Sequence, residues 1–135
     1  MLHVVVDGAN VVGSRPDGWW RDREGAARKL AGRLAAVLTV DPERLAGGLG
    51  HPGADLRLHL VLEGAAARVE DLPTHPHLAV VHADTDGDTA IAAVAAELAA
   101  DAPVLVVTAD RALKERVRAA GAGTAGPGAF LDALP

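Results

Sequence analysis

The sequence predicts an α/β fold: a single three-layer domain over residues 1–135, with a mainly parallel sheet of four or five strands and helices on both faces. Short runs of Val and Leu bounded by turn residues read as strands buried on both faces. Stretches with apolar residues at helical spacing separate them. Strands that alternate with helices argue for a parallel sheet covered by helices. A third observation bears on chemistry: each of the four confident strands is followed closely by an acid.

The first run is "HVVV" at 3–6, closed by Asp7 and a Gly-containing turn that leads to Asn10. Residues 22–38 then set Ala27, Leu30, Ala31, Leu34, Ala35 and Leu38 on one face of an amphipathic helix. Residues 41–56 are loop-rich, with one helical turn expected after Asp41-Pro42. The second run, "LHLVL" at 58–62, meets Glu63, and a second loop-rich stretch covers 64–77. The third, "LAVVHA" at 78–83, meets Asp84, with Asp86 and Asp88 on the same turn. A helix follows over 88–100, with Ile91, Val94, Ala95 and Leu98 on its apolar face. The fourth run, "VLVV" at 104–107, leads through Thr108 to Asp110. The helix over 110–120 carries Leu113 and Val117 one turn apart, and Gly121 stops it. A last short strand is expected near 122–125, before "PGAFLDAL".

Composition narrows the function classes. No cysteine is present, which excludes disulfides, thiolate metal sites and a cysteine nucleophile. The opening residues carry neither a basic n-region nor a long apolar h-region, and no run approaches a membrane span, so a cytoplasmic protein with no membrane partner is expected. The net charge of −5 argues against a plain nucleic-acid binder. Its distribution alters that conclusion. Asp7, Glu63, Asp84, Asp86, Asp88 and Asp110 all follow strands, and without these six acids the rest of the chain would carry about +1. In an open α/β sheet, ligands bind outside the carboxyl ends of the strands, where the strand order reverses. Carboxylates gathered there repel one another unless a cation sits among them, and hard cations such as Mg²⁺ or Mn²⁺ take oxygen ligands of this kind.

Helix capping offers a plainer account. Asp is a good N-cap, which explains Asp110 and one of Asp84, Asp86 and Asp88, but leaves Asp7 with Asn10 and Glu63 without a reason. The stretch "DTDGDT" at 84–89 superficially resembles a calcium loop, yet Thr89 stands where the sharp-turn Gly belongs and Ala95 where the bidentate Glu belongs. It also resembles the "DxDGT" start of haloacid-dehalogenase phosphatases, a motif that belongs on a first strand. No Walker-type phosphate loop and no dinucleotide fingerprint is present.

Three motifs in order carry a more specific likeness: "VVVDGAN" with Asp7, Gly8 and Asn10; "DGDTAI" with Asp86 and Asp88; and "VVTADRAL" with Thr108 and Asp110. Together they resemble the NYN domain, of the PIN-like nuclease group that includes the YacP-type bacterial proteins. The resemblance implies a PIN-like fold with the first strand central. It also implies a hydrolase: a metal-dependent endoribonuclease that cleaves RNA phosphodiesters with Mg²⁺ or Mn²⁺. On that likeness Asp7, Asp88 and Asp110 would be the core ligands, and Asn10 would orient Asp7 or the attacking water. Asp84 and Asp86 would be further ligands, and Glu63 an outer ligand or base. Two departures stand out. Many PIN relatives carry a Glu on a mid-domain helix, whereas Glu63 directly follows a strand. Some have a further acid one turn after the last Asp, where this chain has Lys114.

The stretch "SRPDGWWRDR" at 14–23 holds both tryptophans beside arginines. Trp19 and Trp20 suit stacking on unpaired bases, and Arg15 and Arg21 suit phosphate. The same tryptophans would equally staple the loop to the domain or form a homodimer contact. Arg111, Lys114 and Thr108, at the last motif, complete the expected substrate-binding set, with RNA as the partner. Two other functions remain open: a metal-dependent nucleotide phosphohydrolase, and an RNA- or protein-binding module of the same fold without activity. His3, His59 and His82 lie in strands and are expected to be packed or hydrogen-bonded.

Overall fold

In the computed structural model, which describes residues 1–135, the strand predicted first lies at the centre of the sheet. The elements are β1 (Leu2–Asp7), α1 (Gly8–Gly13), α2 (Arg23–Val40), α3 (Pro42–Gly48), β2 (Leu56–Leu62), β3 (Leu78–His82), α4 (Gly87–Ala99), β4 (Val104–Val107), α5 (Arg111–Ala119), β5 (Gly123–Ala125) and α6 (Pro127–Asp132). The five strands form one sheet in the order β3-β2-β1-β4-β5. Every pair is parallel, with Asp7 beside Val61 and Val6 beside Val107. The chain therefore builds outwards from β1 to β3, crosses the sheet, and builds outwards again from β4. The order reverses between β1 and β4, and the carboxyl ends of those two strands flank the switch point.

Alternation along the strands sorts their side chains into two cores. Val4 and Val6 of β1, Leu58, Leu60 and Leu62 of β2 and Val107 of β4 pack with Leu30, Leu34, Leu45 and Phe130 beneath α1, α2, α3 and α6. Val5, Val61 and Val106 face the other way and pack with Ile91, Ala95, Leu113 and Val117 of α4 and α5. This is the three-layer α/β fold the sequence predicts, with a wholly parallel sheet of five strands. Its central first strand is consistent with a PIN-like arrangement. No helix is long and apolar enough to cross a membrane.

The structure corrects the local reading in two places and adds a helix where none was assigned. The turn expected after Asp7 is a short helix, α1, which buries Val11. Gly and Asn are poor helix formers, but only Gly can open this helix. A Cβ on Gly8 would lie 2.6 Å from the Val61 carbonyl oxygen and 2.9 Å from a Leu62 methyl. The 41–56 stretch holds a seven-residue helix in place of a single turn, with Pro42 in its first turn and Leu45 and Ala46 buried. "PGAFLD" forms α6, which also begins on a proline and buries Phe130.

The strand histidines pack as expected. His3 and His59, neighbours on β1 and β2, share a hydrogen bond of 2.9 Å between Nδ1 and Nε2. Burial pushes the His59 imidazole down to about 4, helped by His3 and Arg57. His82, exposed at the end of β3, bonds through Nδ1 to the Ala67 carbonyl at 2.6 Å.

Candidate functional site

The centre of the acidic edge is Asp7, only 5% exposed. Both of its oxygens are held. Oδ1 accepts from the Asn10 backbone N–H at 3.2 Å, making Asp7 the N-cap of α1. Oδ2 accepts from the Thr108 hydroxyl at 2.9 Å, across the switch point from the end of β4. The Thr108 oxygen in turn accepts from the Asp110 N–H at 3.1 Å. The Asn10 side chain closes the ring, its Oδ1 accepting from the Ala109 N–H at 2.9 Å. Asp7, Asn10 and Thr108 thus bind the ends of β1 and β4 into one rigid unit.

This geometry changes two assignments. Thr108 is fully buried, so it cannot touch a substrate; it positions Asp7 and the start of α5. The Asn10 side chain is committed through its oxygen to Ala109, and Asn10 meets Asp7 through its backbone. Capping also reaches further than the sequence suggested. Asp86 caps α4, Asp110 caps α5, and Glu63 accepts from the Gly87 N–H at 2.6 Å in the first turn of α4. A Cβ on Gly87 would lie 3.1 Å from the Glu63 carboxyl carbon, so the glycine lets that carboxylate settle against the helix. Local hydrogen bonding therefore explains Asp7 and Glu63 as well.

Asp88 is different. It sits half-buried in the first turn of α4, and no protein group donates a hydrogen bond to its side chain. Burial pushes its carboxyl above the usual range, and Asp110, Glu63 and Asp86 push it further. Asp7 is also raised, chiefly by burial, against the pull of Thr108 and Asn10 and with added repulsion from Asp88 and Glu63. Asp86, fully exposed, is lowered by its bonds to Thr89. Asp7, Glu63, Asp86, Asp88 and Asp110 thus share one field. Asp84 is exposed and belongs to neither the Asp7 nor the Asp88 set of repelling charges.

No lysine or arginine pairs with these acids; the chain's one ion pair joins Arg15 to Asp132 at 3.1 Å. Arg116 of α5 offsets part of this charge, drawing down both Asp86 and Asp88. Arg116 was missed in the sequence because its approach depends on how α5 packs against α4. An all-oxygen donor set without an internal cation fits a hard divalent ion in chemistry. In geometry the set is open: no three acidic or histidine side chains are arranged to hold an ion.

The expected substrate-binding residues divide. Arg15 lines a cleft of about 390 Å³ with Lys29 and Arg33, next to its partner Asp132. Trp19 and Arg21 form a short 3-10 turn, in which Trp19 is half-buried and Trp20 is 51% exposed. The two indoles meet edge to face at 5.9 Å. Arg111 is exposed at the start of α5, and Lys114 is half-buried one turn later.

With this geometry in view, comparison with solved structures adds a likeness in fold. The fold is similar to that of Rae1 (YacP) from Bacillus subtilis. The TM-score is 0.63 at 20% sequence identity, over 96% of this chain and 72% of that one. No family model matches the chain, and no curated protein does. The likeness is one of fold.

Proposed function

We propose that the chain is an endoribonuclease of the NYN type within the PIN-like group, cutting RNA phosphodiesters with the help of Mg²⁺ or Mn²⁺. One observation carries this reading. Asp88 stands among Asp7, Glu63 and Asp110 at the switch point with no hydrogen-bond donor and no ion-pair partner. A half-buried carboxylate left unpaired among like charges is costly unless a cation or ligand completes it. The likeness in fold to Rae1 (YacP) supports the relation to YacP-type proteins that the three motifs suggest.

Asp7, Asp88 and Asp110 are the groups that would have to close on the ion, since the three are not arranged around one in this conformation. When bound, such an ion supplies a nucleophile at neutral pH and offsets charge developing on the phosphate. The chain's own groups do the positioning. Thr108 and Asn10 fix Asp7, and the α5 cap fixes Asp110. Arg116 limits the repulsion that Asp86 and Asp88 exert.

The test is cleavage of single-stranded and hairpin RNA with Mn²⁺ or Mg²⁺, comparing the parent with Asp88→Asn. Asp88 caps nothing, so this variant keeps its fold and should lose cleavage by at least about a hundredfold. Equal cleavage by both proteins refutes the reading. Release of phosphate from nucleoside triphosphates with RNA intact would favour the phosphohydrolase. Binding without cleavage would favour the inactive module, the alternative that the open ligand set supports.

A further inference from the structure

Beside the acidic edge lies a cleft of about 490 Å³, within the range of roughly 300–1,000 Å³ usual for small-ligand sites. Val12, Ala27 and Leu62 give it an apolar floor between α1, α2 and the end of β2. Trp19 forms one wall, with the Arg23 guanidinium carbon 5.5 Å from the centre of its ring. Glu63 and Asp86 stand on the acidic rim, but Asp86 is committed to capping α4 through Thr89. Oε2 of Glu63 is taken by the Gly87 N–H, and its Oε1 has no partner in the protein.

An apolar slot walled by indole and guanidinium suits a flat, unsaturated ring, because both groups stack on the face of a base. The rim adds selectivity. A carboxylate only accepts hydrogen bonds, so it favours a base whose pairing edge presents N–H groups. Guanine offers two adjacent donors there, N1–H and N2–H. Adenine and cytosine offer an amino group beside an acceptor. Uracil offers one N–H between two carbonyl oxygens, which a carboxylate repels. Because Glu63 belongs to both the cleft and the acidic edge, a base seated here would bring its own backbone to the switch point.

We infer that this cleft is a subsite for one unpaired guanine of the RNA, with Trp19 and Arg23 as its stacking wall and Glu63 as the residue that selects the base. The inference rests on the nuclease reading for its substrate class, but its test does not depend on cleavage. Fluorescein-labelled UUGUU and UUUUU oligoribonucleotides are titrated with the protein in EDTA and followed by anisotropy. The parent should prefer UUGUU by about tenfold, the order expected for one hydrogen bond to a charged acceptor. Glu63→Gln keeps an acceptor for the Gly87 N–H, so the fold should hold while the preference disappears. Trp19→Ala should weaken UUGUU by about tenfold, the order expected for loss of one stacking contact, and Trp19→Phe should restore most of it. Melting curves confirm that each variant is folded. Equal affinity for the two oligonucleotides in the parent overturns the inference, as does a preference that follows Trp20 or survives Glu63→Gln. Either result can coexist with Asp88-dependent cleavage, so failure of the subsite is distinguishable from failure of the nuclease reading.

Discussion

Replacing Thr108 by valine removes one hydroxyl and almost no volume, from a position with no exposure. Two bonds go with it. Asp7 loses the 2.9 Å donor to Oδ2, and the Asp110 N–H loses its 3.1 Å acceptor. A hydrogen bond to a charged group is worth about 1.5–3 kcal/mol, and a neutral one about 1. Asp7 has no cation to fall back on, so Thr108→Val should destabilise the protein by about 3 kcal/mol at pH 7. The deficit depends on pH. Burial already raises the Asp7 carboxyl above 3.8, so the native state holds its proton more tightly than the unfolded chain. Stability then falls as pH climbs from 3.8 through the raised native value, and is level above it. Without the hydroxyl that native value rises further. The variant's deficit therefore builds over this interval, is fully expressed at neutral pH and shrinks in acid. Urea denaturation of the parent, Thr108→Val, Asp7→Asn and the double variant measures both quantities. The cycle should give a coupling of about 1.5–2 kcal/mol at pH 7. A single-variant loss below about 1 kcal/mol, or a coupling near zero, would refute the claim that this bond holds the buried carboxylate.

Three further outcomes are expected. Asp88→Asn should raise the metal-free melting temperature by about 1–2 °C through relief of repulsion, and should blunt the rise that Mn²⁺ produces in the parent; an unchanged Mn²⁺ response means Asp88 holds no ion. Because burial pushes His59 from 6.5 down to about 4, stability present above pH 6.5 should be lost as pH falls towards 4. The full interval corresponds to about 3 kcal/mol and to about 2 once water at the ring is allowed for; His59→Leu should flatten this part of the curve, as read by chemical denaturation between pH 4 and 8. Gly8→Ala places a methyl 2.6 Å from the Val61 carbonyl oxygen and should destabilise by about 2–3 kcal/mol, with the melting temperature as the readout.

The sheet was legible because its strands are buried on both faces, so unbroken runs such as "VVV" and "VLVV" have no competing explanation. Helices α2, α4 and α5 were legible from their apolar spacing. The short helices were not, because their helical state comes from tertiary packing. α1 begins with Gly and carries Asn, both turn signals, and it folds as helix because Val11 is buried and Asp7 caps it. At the edge, sequence order brought the right acids to one side of the sheet but could not divide them by task. Asp7, Asp88 and Asp110 look alike as strand-end acids. Only the geometry separates Asp88, which bonds to nothing, from its capping neighbours. Thr108 and Arg116 show the same limit. Whether a hydroxyl faces solvent or a buried carboxylate, and whether an arginine on α5 reaches across to α4, depends on contacts between segments distant in the chain.

The ring formed by Asp7, Asn10, Thr108 and Ala109 has a dynamic consequence. β1 has a strand on each side and helices on both faces, so its amides should exchange with solvent only when the whole molecule opens. The Ala109 amide is exposed and lies outside any strand, yet its bond to Asn10 should slow its exchange relative to an unbonded loop amide. On the far side, β3 is an edge strand whose residues are all partly exposed. It leads into an exposed loop before α4, so local opening should begin there. The α4 side of the acidic edge does not share this looseness, because the Gly87 N–H is bonded to Glu63 and Ile91 and Ala95 are buried against β1. Fast exchange in β3 and in the loop before α4, with slow exchange in both β1 and α4, would be the signature of this division.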